Sequence, residues 1–395
     1  MTERTRQRRV LFVSSVHPEP PFGGERIRCY HLLDGLSREY AVAFLSHEEL
    51  TSEPLAQRVR SLPLLPAPLQ GRSPRARFTR IGGLFRPRPA WSAALTEACD
   101  RFDPALIWFD YGFWGQYLAD IPSPRVPTVL GTHNVQSDIV KGNLRPLPPG
   151  PRLVAARVRY HAQRWHERRY TGRFDCVVSV SEEDRRHYAR FCGDGRSRLI
   201  PNFIDEERYR PEHPLPRGDS EMVMTANFAS SQNRFGAEWL LEEVWPRIAA
   251  RNPEARLALV GRGSEEVGRR FGSLPGVSVT GEVDSVVPWL RQAALAVVPI
   301  RHGSGARLKI LEALACETPL VSTTLGARGI AVTNGESAII ADDTDAFARA
   351  AVRLLADRSE REMIAAAGLD VLRREYTLDV NTVRLVNLVE ELVGP

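Results

Sequence analysis

The segment Val298-Pro-Ile-Arg-His-Gly-Ser-Gly-Ala-Arg-Leu-Lys-Ile-Leu-Glu-Ala-Leu-Ala315 is the part of the chain richest in residues that could do chemistry. A strand pattern runs into a glycine loop, and the loop feeds a helix pattern. Gly303 and Gly305 let backbone N–H groups approach an anion, and a helix beginning near Ala306 adds its positive end. Arg307 and Lys309 bring fixed positive charge to the same place. Glu312 cannot bind phosphate, but it accepts two hydrogen bonds from a diol such as a ribose. Phosphate donors beside a diol acceptor describe a nucleotide diphosphate site.

A second loop, Ser15 to Arg28, follows an apolar run and opens a helix pattern at Gly23-Gly24, repeating the anion-site logic. If two domains face one another across a cleft, the two glycine loops close on one diphosphate. His133 follows the apolar Thr128-Val-Leu130, at the carboxyl end of an expected strand, where α/β proteins bind ligands. A histidine there hydrogen-bonds a sugar hydroxyl or helps neutralise phosphate. Three other patterns read as structural. Asp343-Thr-Asp345 precedes a helical run and suits an N-cap better than a metal. Gly261-Arg-Gly263 lacks the third glycine of a dinucleotide fingerprint, since position 266 is Glu. His166-Glu167 has no second histidine at metal spacing.

These residues need a scaffold of alternating strands and helices. Arg9–Val13, Tyr40–Leu45, Ala105–Phe109, Thr128–Leu130 and Cys176–Val180 read as strands, with helices over Arg26–Leu36, Trp91–Arg101, Arg152–Tyr170 and Glu182–Phe191. The alternation restarts at Met222–Thr225 and continues through Arg256–Val260, Val277–Val279, Ala294–Pro299 and Pro319–Ser322. The expected fold class is α/β, with two Rossmann-like domains. Prolines in Tyr209–Asp219 mark a linker. The expected domains are residues 1–212 and 213–376, with a helix at about 377–395 packing back on the first.

A chain of 395 residues with 43% hydrophobic and 26% charged content has enough apolar sequence for two cores. A net charge of +5 argues against a dedicated nucleic-acid-binding protein. No apolar run approaches the ~18 residues of a transmembrane helix. Val10–Val13 is too short for a signal-peptide core. Five scattered cysteines without C-x-x-C spacing fit a reducing cytoplasm. In Gly71–Arg88, Arg72, Arg75, Arg77, Arg80, Arg86 and Arg88 alternate with apolar residues and no acid. That composition suits either a solvated loop or a peripheral membrane surface.

Phe22–Arg28, His133-Asn134, Val178–Asp184, Ile200–Asp205 and Gly303–Ala315 with Pro319–Gly329 together resemble the retaining, nucleotide-sugar-dependent glycosyltransferases of family 4. The resemblance implies a GT-B fold, a nucleotide-sugar donor, no obligatory metal and no separate cofactor. It narrows, through Gly303–Ala313 and Arg28–Leu33, toward the branch acting in exopolysaccharide and cell-surface glycan assembly. It implies that Glu312 holds the ribose, that Gly303, Gly305, Arg307 and Lys309 hold the diphosphate, and that Gly23-Gly24 faces the donor phosphates. The catalytic positions it implies are His133, Gly24 and Ser304. Ser304 stands where the family's E-x7-E motif has its first acid, and Asn227, itself expected among the donor-binding residues, and Asn233 stand where many relatives carry Arg and Lys. Arg307 and Lys309 are expected to supply that charge. A nucleotide-sugar epimerase or hydrolase on the same scaffold, or a non-catalytic partner of a glycan-assembly complex, are the competing readings.

Overall fold

The computed structural model describes residues 8–21, 23–62, 89–111, 114–121, 126–142, 144, 148–210, 216–271, 274–303 and 308–394. The chain divides into two compact units, Met1–Pro201 with Asn381–Pro395, and Asn202–Val380.

The first unit is built on β1 (Arg9–Ser14), β2 (Ala41–Leu45), β3 (Val59–Ser61), β4 (Leu106–Asp110), β5 (Thr128–Gly131), β6 (Cys176–Ser179) and β7 (Ser197–Leu199). All pairs are parallel, in the order β3-β2-β1-β4-β5-β6-β7. The second unit carries β8 (Glu221–Thr225), β9 (Arg256–Val260), β10 (Val277–Val279), β11 (Leu295–Val298), β12 (Leu320–Ser322) and β13 (Ile339–Ile340). Its order, β10-β9-β8-β11-β12-β13, is again wholly parallel. In each sheet the strand order reverses once, between β1 and β4 and between β8 and β11. The carboxyl ends of those strands open the crevice where doubly wound sheets bind ligands.

Central strands of a parallel sheet are covered on both faces, so they read as continuous apolar runs. Val10, Leu11, Phe12 and Val13 are all buried. The strands that sequence periodicity did not signal are β3, β7 and β13, three of the four sheet edges. They are two or three residues long, and Arg60 and Arg198 sit at the centres of β3 and β7.

The helices Pro89–Phe102, Pro151–Tyr170 and Glu182–Cys192 fall within two residues of their expected bounds. Asp343 is an N-cap, its Oδ1 accepting the Ala346 N–H at 2.8 Å. The break between units precedes residue 202 rather than residue 213. Ile204 bridges Thr377, and Tyr209 is buried among second-unit residues. The final helix, Leu378–Val393, gives its residues from Asn381 onward to the first unit, where Glu390 accepts from Arg8 at 2.6 Å and from the Tyr40 hydroxyl at 3.0 Å. All five cysteines are buried and free. No described helix is long and apolar enough to cross a membrane.

Candidate functional site

In the first unit, the turn after β1 leads into the helix Gly24–Glu39. Gly23, at φ +84°, precedes it, and no side chain caps that end. The N–H groups of Gly24 and its neighbours therefore keep their capacity to bind an anion. Beside this turn, β4 ends at Asp110 and β5 runs on to His133. His133 Nε2 donates to Asp110 Oδ2 at 3.0 Å, since an ionised carboxylate can only accept. That contact fixes the ring orientation and leaves Nδ1 inward, without a hydrogen-bond partner among the described residues. Gly131 makes the approach possible: a Cβ there would lie 2.7 Å from Asp110 Oδ1.

Tyr111, at φ +42°, lays its ring against His133 with centroids 4.8 Å apart. Burial, followed by the Glu25 charge and hydrogen bond, pushes its phenol up, so it stays a donor. Arg28 lies beneath this group, 1% exposed, donating to Ile200 O at 3.1 Å and Pro201 O at 2.9 Å. Desolvation lowers its pKa to about 10, against the opposing pull of the Asp110 charge. Behind His133 is a cavity of about 40 Å³, room for one or two waters. His166 lines it, with Nε2 3.0 Å from Gln116 Oε1, and burial depresses its pKa to about 3. Glu167 closes the start of the helix Gln136–Gly142, accepting from Ser137 N at 2.9 Å and Oγ at 2.7 Å. The His166-Glu167 pair is thus structural.

In the second unit, β11 runs through Pro299 to Gly303, at φ +111°, and the helix Leu308–Ala315 follows. Ser304, Gly305 and Arg307 lie outside the described residues, as does the Arg72–Arg88 segment. Lys309 is on the first turn of that helix, and its Nζ donates to Asn233 Oδ1 at 2.7 Å. Asn233 in turn donates from Nδ2 to Asn227 O at 2.8 Å. Asn227 Oδ1 accepts the Ala229 N–H at 3.1 Å, which ties the side chain of this expected donor-binding residue to its own turn. Asn233 is more than a missing cation: it is the buried tether that aims the lysine.

Three residues on from Lys309, and so on the same helix face, Glu312 accepts from the Tyr209 hydroxyl at 3.3 Å. Desolvation raises the Glu312 pKa; the Tyr209 bond and the Lys309 charge pull it back. Gly261-Arg262-Gly263 has a packing role. A Cβ on Gly261 would lie 2.2 Å from Ala226 O, and Arg262 O accepts the Phe228 N–H at 2.8 Å.

The sequence reading missed Asp110 and Tyr209. Asp110 ends a wholly apolar strand beside the point where strand order reverses, a signal that could have singled it out. Tyr209 sat in an apparent linker, and nothing local marked it. Among the described residues, no His/Cys/Asp/Glu group could hold a metal ion.

Two doubly wound parallel units, each with its polar groups at the strand-order reversal, define the two-domain architecture of GT-B glycosyltransferases. The chain belongs to that class: residues 22–208 match the family described as Glycosyltransferase Family 4, and residues 220–357 match Glycosyl transferases group 1. A phosphatidyl-myo-inositol mannosyltransferase of Mycolicibacterium smegmatis is 27% identical over 225 residues, 55% of this chain and 57% of that one. The chain spans about half the length of the curated relatives it matches. Among solved structures, the sucrose-phosphate synthase of Thermosynechococcus elongatus superposes with a TM-score of 0.73 at 19% identity, covering 98% of this chain and 99% of that one. Anabaena HepE in complex with UDP gives a TM-score of 0.67 at 14% identity, covering 97% of this chain and all of that one. At such identities these two likenesses concern the fold alone.

Proposed function

We propose that this protein transfers a sugar, with retention of configuration, from a nucleoside-diphosphate sugar to an acceptor hydroxyl in cytoplasmic glycan, exopolysaccharide or glycolipid synthesis. The observation that carries the reading is the Tyr209–Glu312 and Asn233–Lys309 pairing on one helix face beyond β11. Glu312 takes the ribose diol, its carboxylate steadied by Tyr209. Lys309 and the start of its helix take the diphosphate, the arrangement that favours charge developing on a leaving phosphate. No metal is required for that stabilisation when fixed cations and backbone N–H groups supply it. HepE, a structural neighbour with UDP bound, is in keeping with a nucleotide donor.

In the first unit, the role assigned to His133 is contact with the donor sugar near its reacting end, with Asp110 holding the ring. The acceptor hydroxyl attacks the anomeric carbon as its bond to the diphosphate breaks, and the hydroxyl proton passes to the leaving phosphate. Gly23-Gly24 binds the donor phosphates through backbone N–H groups.

Thermal stabilisation by UDP, GDP, ADP and dTDP, with and without EDTA, tests the donor site. A ligand at 100 times its Kd adds about 2.7 kcal/mol to the folded state. The expected result is a base-selective, EDTA-insensitive shift that Glu312→Ala abolishes. Release of the diphosphate only when an acceptor is added separates transfer from epimerisation or hydrolysis. No shift with any of the four removes the proposal.

A further inference from the structure

The helix Pro151–Tyr170 carries six arginines, Arg152, Arg157, Arg159, Arg164, Arg168 and Arg169, all exposed. Its one acid, Glu167, is turned inward onto Ser137. From Pro151 through His161 no residue is buried. Helices in water draw most of their stability from a packed apolar face, and in these first three turns that face is only half-buried, at Leu153, Ala156 and Tyr160. Val154 is 60% exposed, Val158 54% and Trp165 43%. At offsets of four and eleven residues they form a single stripe with His161, and Arg157, Arg164 and Arg168 run alongside it. The neighbouring helix Gln136–Gly142 adds exposed Lys141 and exposed Asp138, the latter acting electrostatically on Arg164. The face remains strongly cationic.

A scattered exposed valine needs no explanation, but an apolar stripe bordered by guanidinium groups asks for a partner with two properties. A soluble polyanion would pair the arginines and leave Val154, Val158 and Trp165 in water. An apolar protein groove would cover the valines and strand the arginines. A bilayer containing anionic lipid offers both, with phosphates that match the guanidinium fork and an acyl boundary just beneath. Indole rings settle at that boundary.

We propose that the exposed face of the helix Pro151–Tyr170 docks this protein on an anionic lipid surface. The site is separate from the residues assigned to donor binding, and the proposal does not depend on sugar transfer. Co-flotation of the full chain with phosphatidylcholine vesicles, with and without phosphatidylglycerol, tests it. Binding is expected only with phosphatidylglycerol, and it weakens as salt rises. Arg157→Gln, Arg164→Gln and Arg168→Gln together should weaken it about a hundredfold, at roughly fivefold per arginine. Val158→Ser with Trp165→Ser should weaken it about tenfold.

Melting temperatures near that of the parent check that both variants fold. A blue shift of emission on adding phosphatidylglycerol vesicles, absent in Trp165→Phe, reports the indole entering the interface without disturbing the arginines. Unchanged partition in the arginine variant overturns the proposal. So does loss of binding by the arginine variant with full retention by the apolar one, which would mark a surface for soluble polyanions. The donor-site variant Glu312→Ala should float like the parent, which separates this test from the functional one.

Discussion

The two units share a strand order at their centres yet load the reversal point in opposite ways. In the first, Asp110 is 0% exposed, Arg28 1% and His133 8%, so its charged and titratable groups are committed to one another inside the protein. In the second, Lys309 and Glu312 are part-exposed, and the lysine is held by a neutral amide. A buried charge that loses its partner is costly, whereas an amide can give up a lysine to a phosphate without stranding a charge. The contrast is between a site set before any ligand arrives and one whose cation can be handed over.

The sharpest way to break that comparison is Arg28→Met. It removes the buried positive charge facing Asp110 and leaves the Ile200 and Pro201 carbonyls without that donor, and should cost about 3–5 kcal/mol in urea unfolding; a loss under about 1 kcal/mol would mean that the first unit is not pre-set. Asp110→Asn comes next. It keeps the shape but no longer dictates which His133 nitrogen carries the proton, so turnover should fall about a hundredfold or more while nucleotide affinity holds. Equal loss of affinity and turnover would show Asp110 serving the fold instead.

His166 sharpens the comparison through pH. Its pKa is depressed from 6.5 to about 3, so the unfolded chain binds the extra proton first. The stability it contributes is present above pH 6.5 and is lost as pH falls from there toward 3. His166→Gln should flatten that acid limb by about 2–3 kcal/mol, read from urea midpoints across the window. The smallest effect has the opposite sign. The Glu312 pKa is raised, so its contribution favours the fold at low pH and is lost as pH rises through the raised value. Glu312→Gln should therefore raise the melting temperature of the unliganded protein slightly at neutral pH and remove the stabilisation by nucleotide.

Much of this was legible in the sequence because doubly wound sheets advertise themselves. Runs such as Val10–Val13 and Leu257–Val260 are buried on both faces and cannot be anything but apolar. The edge strands β3, β7 and β13 carry no such obligation, since pairing on one side suffices to form them. In the site, Gly303, Lys309 and Glu312 stood out because phosphate and diol chemistry demands those types close together in sequence. Asp110 and Tyr209 act through space, from residues 23 and 103 positions away from His133 and Glu312. Asn233 shows the same limit: read as a lost cation, it is the hydrogen-bond acceptor that steers one 76 residues on.

The return of the final helix to the first unit also has a consequence in time. Arg8 and Tyr40 leave the ribosome well before Glu390, yet both bond to it. The second unit, Asn202–Val380, is contiguous and can finish while those partners are still missing. The first unit is thus begun before the second and completed after it, and a nascent chain arrested before residue 381 would carry a finished second unit and an unfinished first one.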